Sequence, residues 1–232
     1  MTLGDILGVT AVGVVVGVDL VTVPQAMTAR PIVAAFVGGW ITGSPLYGLL
    51  IGAVLELFAL ETLPVGASRY PDWGPPSVAA GALFQPGPGG AFPHSFWPWL
   101  LSLVLVSALV AWFGGWAMDA VHRANGVAIQ RRAAALDAGD PRTLIRLQAG
   151  GFVRDAGRAA ALTLVALLPG GFVARVVAEQ WRAPTALAEN AVLAAAAGVA
   201  AAAAWRLFAR GKTARWLVAG VSAGLAGALL WA

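Results

Sequence analysis

Cysteine is absent from this chain of 232 residues, histidine occurs only twice, and charged residues make up just 11% of it. Without cysteine there is no disulfide framework, no thiolate metal site and no cysteine nucleophile. The two histidines, His94 and His122, lie far apart in sequence. One falls in a Pro/Gly loop and the other at a helix end, and each reads as a solvated polar residue. Also missing are the His-Glu-x-x-His, Walker A and Gly-x-Ser-x-Gly patterns, so the familiar metal, phosphate and acyl-transfer templates have no residues to work with. No metal and no cofactor is expected.

The shortage of charge is the most informative absence. A soluble domain is typically about 25% charged and about 45–50% apolar with glycine included. Here 59% is hydrophobic before the 29 glycines are counted, and mean hydropathy is +0.78. A chain of this length cannot hide so much apolar surface in one aqueous core, because too much of a domain that size stays exposed. Lipid solves the problem by becoming the solvent. The expectation is an all-α, polytopic transmembrane helical bundle, one integral membrane unit over residues 1–232.

What charge there is points the same way. The net charge is +4, yet the arginines sit between apolar runs as in cytoplasmic loops of membrane proteins, so nucleic acid is not an expected partner. A span needs about 20 apolar residues. Spans are expected near residues 6–23, 99–118, 159–176, 187–208 and 216–231. The first carries no basic n-region and no small-residue cleavage pattern, and reads as a retained span. Residues 122–158 hold Arg123, Arg131, Arg132, Arg142, Arg146, Arg154 and Arg158. They are expected on the cytoplasmic side, part of them as an amphipathic surface helix. Phe96, Trp97 and Trp99 read as an interfacial aromatic belt.

Residues 25–98 break this regular pattern. Gly38-Gly39 and Gly43-Ser44-Pro45 interrupt an apolar stretch too long for one helix. Proline lacks an amide donor and clashes with the preceding turn, which places a break near Pro45. Broken or re-entrant helices over 32–42 and 46–61 are expected, with another short apolar piece at 78–84. Within this region Glu56 stands in Leu55-Glu56-Leu57-Phe58. A charge inside a span costs a few kcal/mol, so such a residue normally faces a polar cavity or a partner. Beside a helix break, freed backbone groups can bind cargo. The plainer alternative is a structural ion pair with an arginine elsewhere. Glu61, nearer the interface, fits the plainer alternative better. Asp72, in Tyr70-Pro71-Asp72-Trp73-Gly74, is alone no more than turn chemistry. Asp19 and Gln25 are possible cavity-lining residues, with interfacial solvation as the ordinary explanation.

Three patterns occur in order: Arg30-Pro31 opening a glycine-rich stretch, Gly52-x-x-x-Glu56-x-x-x-Leu60, and Gly66-Ala67-x-x-x-Pro71-Asp72. Together they resemble the IIC membrane subunit of the mannose/fructose/sorbose family of sugar phosphotransferase systems. The resemblance is densest over residues 25–72 and extends to Leu147-Gln148 and a span containing Arg158. It implies a sugar substrate, a IID-like membrane subunit as partner, and phosphorylated IIB with IIA at the cytoplasmic face. It also implies a bacterial inner-membrane location and an oligomer. Glu56 and Asp72 would contact sugar, with Gly66 and Ala67 supplying backbone beside it. Carboxylates suit this role, because charge-assisted hydrogen bonds to hydroxyls are the stronger kind. The missing histidine pair and cysteine fit a subunit that leaves phosphoryl transfer to its partners. Two features depart from the family pattern: Pro64 stands where an Asn is usual, and residues 84–99 form a Pro/Gly/aromatic insert. Rival readings are an intramembrane enzyme using Glu56 and Asp72, and a non-transporting structural or receptor subunit.

Overall fold

The computed structural model describes the chain apart from residues 21, 23–25, 61–68, 88–89, 91, 93–94, 209–214, 217, 221 and 225–232. The described residues form helices and no strands. Helix α1 covers Leu3–Asp19 and opens with a capping box. Asp5 N donates to Thr2 Oγ1 at 3.2 Å, and Thr2 N donates to Asp5 Oδ2 at 2.6 Å, so two otherwise orphaned amides are satisfied.

The break near Pro45 is present. Helix α2 runs over Pro31–Ile41 and α3 over Pro45–Ala59, each with proline in its first turn. At that position the missing amide costs nothing, so proline starts the second helix instead of kinking one long helix. Gly43 turns the chain at φ 80°, a left-handed conformation that glycine adopts freely. Gly39 lets the two helices touch backbone to backbone. A Cβ there would lie 2.7 Å from Ser44 O and 3.0 Å from Gly48 Cα. Helix α4, Gly74–Leu83, is buried along nearly its whole length between α1, α2, α5 and α7. With 11, 15 and 10 residues, α2, α3 and α4 are about 15–22 Å long. None can cross a hydrocarbon layer of about 30 Å alone.

The rest of the chain is long helix. Helix α5, Phe96–Gln130, has 35 residues and reaches about 52 Å. A short α6, Ala133–Asp137, turns into α7, Pro141–Val165. A π-helical turn over Ala166–Gly170, containing Pro169, joins α7 to α8, Gly171–Glu179. A π-bulge accommodates a proline without ending the helix. Helix α9 covers Thr185–Phe208. Three helices among the described residues are long and apolar enough to cross a membrane: Phe96–Gln130, Pro141–Glu179 and Thr185–Arg206.

Two readings change here. The basic segment 122–158 does not form a separate surface helix. It is the continuation of α5 and α7 beyond their apolar stretches, a helical hairpin tied by Arg154 Nη1 donating to Asn125 Oδ1 at 2.7 Å. Trp99 is only 5% exposed and packs in the core beside Phe84 and Leu103, not in an interfacial belt. The expected span at 216–231 falls largely outside the described residues.

Neighbouring glycines report direction. Gly13 lies against Thr163 and Gly17 against Ala159, so α1 runs antiparallel to α7. Gly8 lies against Ile41 and Gly74 against Val16, which sends α2 and α4 away from the inner end of α1. Gly171 against Leu83 puts the far ends of α4 and α7–α8 on one side. The start of α1 therefore lies opposite the basic hairpin. The aromatic cluster of Tyr47, Phe84, Phe92 and Phe96, with ring centroids 5.0–6.3 Å apart, closes the end away from the hairpin. The inner ends of α1 to α4 meet on the hairpin side.

Candidate substrate site at the inner ends of the broken helices

Two separate charge clusters occupy this level. The first joins α2 to α3. Glu56 sits one turn before the end of α3, and Arg30 caps the start of α2. Arg30 Nη2 pairs with Glu56 Oε1 at 2.7 Å, with the side chains 28% and 16% exposed. Ile32 N donates to Glu56 Oε2 at 3.3 Å. A carboxylate facing the first free amides of a helix is favoured by both the dipole and the hydrogen bond. The arginine that pairs with Glu56 is thus Arg30, from the Arg-Pro pair.

The second cluster is sealed. Asp72 precedes α4 and is fully buried. Its amide donates to Ala111 O of α5 at 2.9 Å. Its Oδ2 pairs with Arg158 Nη1 of α7. Arg158 Nε and Nη2 also reach Asp155 Oδ1, at 2.9 and 2.8 Å, and Nη2 donates to Gly17 O of α1 at 3.1 Å. Asp155 Oδ2 accepts from Thr22 Oγ1 at 2.7 Å. One guanidinium therefore ties α1, the strand of chain before α4, and α7. Buried charges are tolerated only when paired and hydrogen-bonded in this way. Asp72 Oδ1 has no hydrogen-bond partner among the described residues.

Asp19 has a different job. Its Oδ1 accepts from Ala26 N at 2.7 Å and its Oδ2 from Thr28 N at 2.8 Å. Both oxygens are spent on the turn that holds Met27 at φ 63°, a conformation that costs energy in a residue with a side chain. Nearby, Arg69 Nε meets Asp119 Oδ2 at 2.6 Å and stacks 4.1 Å over Trp116, fastening the approach to Asp72 against α5. Gln25, Glu61, Gly66 and Ala67 lie outside the described residues, as do His94 and Pro64.

Glu56 and Asp72 are each engaged by their own arginine and share no hydrogen-bonding partner in these clusters. Among the described residues, no group of three His, Asp or Glu is placed to hold a metal. Sequence reasoning missed Asp155 and Thr22 altogether and saw Arg158 only as the last arginine of the basic segment and as part of a span. The available signal was Asp155 and Arg158 three residues apart at the head of an apolar helix, where they share one face. Thr22 carried no signal.

Short paired half-helices packed against long crossing helices, with ion pairs at their inner ends, define a polytopic membrane protein of the discontinuous-helix kind. Residues 3–179 match the family model described as the PTS system sorbose-specific IIC component. The chain belongs to that family. A relative from Lacticaseibacillus casei, the PTS system sorbose-specific EIIC component, is 40% identical over 48 residues. That alignment spans 21% of this chain and only 17% of the relative. Two solved structures share the fold. One, described as a membrane protein, gives a TM-score of 0.69 at 21% identity, covering 100% of this chain and 96% of that one. The other is from a cryo-EM structure of the mannose transporter ManYZ with microcin E492. It gives 0.56 at 18% identity, covering 99% and 87%.

Proposed function

We propose that this chain is the sugar-translocating subunit of a mannose/sorbose-type phosphotransferase system. It carries a hexose across a bacterial inner membrane, with the basic hairpin in the cytoplasm, and hands it to partner subunits for phosphorylation. The observation that carries the proposal is the Arg30–Glu56 pair, half-buried where α2 begins and α3 ends. A partly exposed ion pair is worth only about 0–1 kcal/mol. Sugar hydroxyls can therefore replace one partner with the other at little cost, donating to the carboxylate and accepting from the guanidinium. Gly66 and Ala67 would supply backbone beside the sugar, while Asp72, fully buried against Arg158, would hold the fold around the site rather than the sugar itself. The partners are a IID-type membrane subunit and phosphorylated IIB with IIA. This chain does not carry the phosphoryl group itself.

The test is sugar uptake in cells that lack their own mannose-type system. Cells expressing this chain with a IID-type subunit, IIA and IIB should accumulate D-mannose or L-sorbose as the phosphate ester. Cells lacking either membrane subunit should not. Accumulation without this chain, or none of either sugar with the full set, would remove the carrier reading.

A further inference from the structure

Between the inner ends of α1, α5 and α7 lies an open cleft of ≈ 630 Å³. It borders the second charge cluster through Thr22 and Asp155, and the carrier reading leaves it without a role. Its walls include Thr22, His122, Asn125, Gln148 and Phe152, and Asp155 lies at its buried end. The volume falls within the range of about 300–1,000 Å³ common for small-molecule sites. The chemistry of the lining is specific. Two primary amides, an imidazole and a hydroxyl offer donors and acceptors side by side. Phe152 is 49% exposed, and presents an apolar face. Asn125 is held in place, because its Oδ1 is taken by Arg154 at 2.7 Å and its NH₂ group stays available. Among the described residues, no hydrogen bond occupies the Gln148 amide or the His122 ring.

Electrostatics then selects the ligand. Both oxygens of Asp155 are already engaged, by Thr22 and Arg158. The cleft's end therefore supplies no free carboxylate for a cation. Around it stand two aspartates, Asp72 and Asp155, and two arginines, Arg158 and Arg154, whose charges balance, so neither an anion nor a cation is favoured. A neutral ligand dense in hydroxyls with one C–H face fits what remains. Asp155 is also joined to Asp72 through the single side chain of Arg158.

We infer that this cleft is a second, cytoplasm-side subsite for the uncharged sugar, occupied after the sugar leaves the Glu56 level and before it is phosphorylated. The inference rests on the carrier reading and adds a place to it. The Asp155–Arg158–Asp72 chain separates the two positions, so occupancy of one need not require the other.

The absence of cysteine gives a direct test. Gln148→Cys, with Ala138→Cys on the hairpin turn as control, is expressed with the partner subunits. Inside-out vesicles are treated with a membrane-impermeant maleimide in the presence of D-mannose, L-sorbose or mannose 6-phosphate. Labelling follows the unoccupied fraction. The transported sugar, at ten times its dissociation constant, should slow labelling of Gln148→Cys by about tenfold and leave Ala138→Cys unchanged. Mannose 6-phosphate should give less protection. The protection should persist when Glu56→Gln is added, because the cleft holds sugar by itself. If sugar is carried but Gln148→Cys is not protected, the cleft is only a water-filled funnel and the inference falls while the carrier reading stands. Protection that disappears with Glu56→Gln would also overturn it, since the effect would then be transmitted from the other site. If neither sugar is carried, the carrier reading fails and the subsite with it.

Discussion

The Arg30–Glu56 pair and the Asp72–Arg158–Asp155 knot sit at the same end of the broken helices, yet they are built for different work. The pair joins two helices, keeps 28% and 16% of its side chains exposed, and balances one charge with one charge. The knot joins α1, α7 and the segment before α4, and Asp72 is fully buried. Opening the pair exposes groups that water or a hydroxyl can already reach. Opening the knot strands charge where nothing can solvate it. The contrast shows that an intramembrane carboxylate cannot be assigned from its charge alone. Its exposure and the number of elements its partner ties together decide whether it can exchange partners.

The largest effect should come from the knot. Arg158→Leu leaves Asp72 and Asp155 facing each other without a cation, and breaking a buried pair this way costs about 3–5 kcal/mol. Loss of a monodisperse peak on size-exclusion chromatography in detergent is expected. Asp72→Asn should be much milder, because Asp155 still neutralises Arg158. Equal damage from the two substitutions would erase the distinction between knot and pair.

Packing beneath the pair comes next. Gly81 on α4 faces the backbone of Ala35 on α2, where a Cβ would lie 2.7 Å from Ala35 Cα and would also collide with Ala35 O. Backbone cannot move aside as a flexible side chain can. Gly81→Val should therefore cost about 1–3 kcal/mol or more, read as a lower thermal unfolding midpoint. An unchanged midpoint would show that α2 and α4 are not in contact there.

Arg69→Ala removes an exposed pair with Asp119 and the stacking on Trp116, together about 1 kcal/mol. Uptake should fall only a few-fold and fold stability should barely change.

The smallest effect belongs to the hairpin. Asp140 caps α7, and its carboxyl is held below the ordinary range by the Thr143 hydroxyl and then by the Arg142 amide. A depressed carboxylate adds stability above its unfolded pKa and loses it as pH falls through the folded one. Amide exchange in the first turn of α7 should therefore speed up only below the usual carboxylate range, and Asp140→Ala should abolish that pH step.

These expectations also separate what was legible in the sequence from what was not. Hydropathy and the Gly43-Ser44-Pro45 break were enough to place α2, α3 and the long helices, because both depend on local chemistry. Glu56 stood out because charge in an apolar run is conspicuous. Arg158 did not, since an arginine at the head of a span looks like an ordinary flanking cation until Asp72, 86 positions away, is folded against it. The continuation of α5 to Gln130 was hidden for a related reason. Its apolar run stops near Met118, but helical hydrogen bonding does not need lipid. From its sequence context Asp19 is a possible cavity-lining or solvated residue, and only the fold shows its oxygens capping the Ala26 and Thr28 amides.

The central claim is that Glu56 is the exchangeable carboxylate, the one that holds sugar rather than the fold. Uptake and thermal unfolding of Glu56→Gln, measured on the same preparation, test it directly. D-mannose or L-sorbose uptake should fall by at least about tenfold, as for loss of one charge-assisted bond, while the unfolding midpoint moves little. Normal uptake, or a collapse in stability like that of Arg158→Leu, would contradict it.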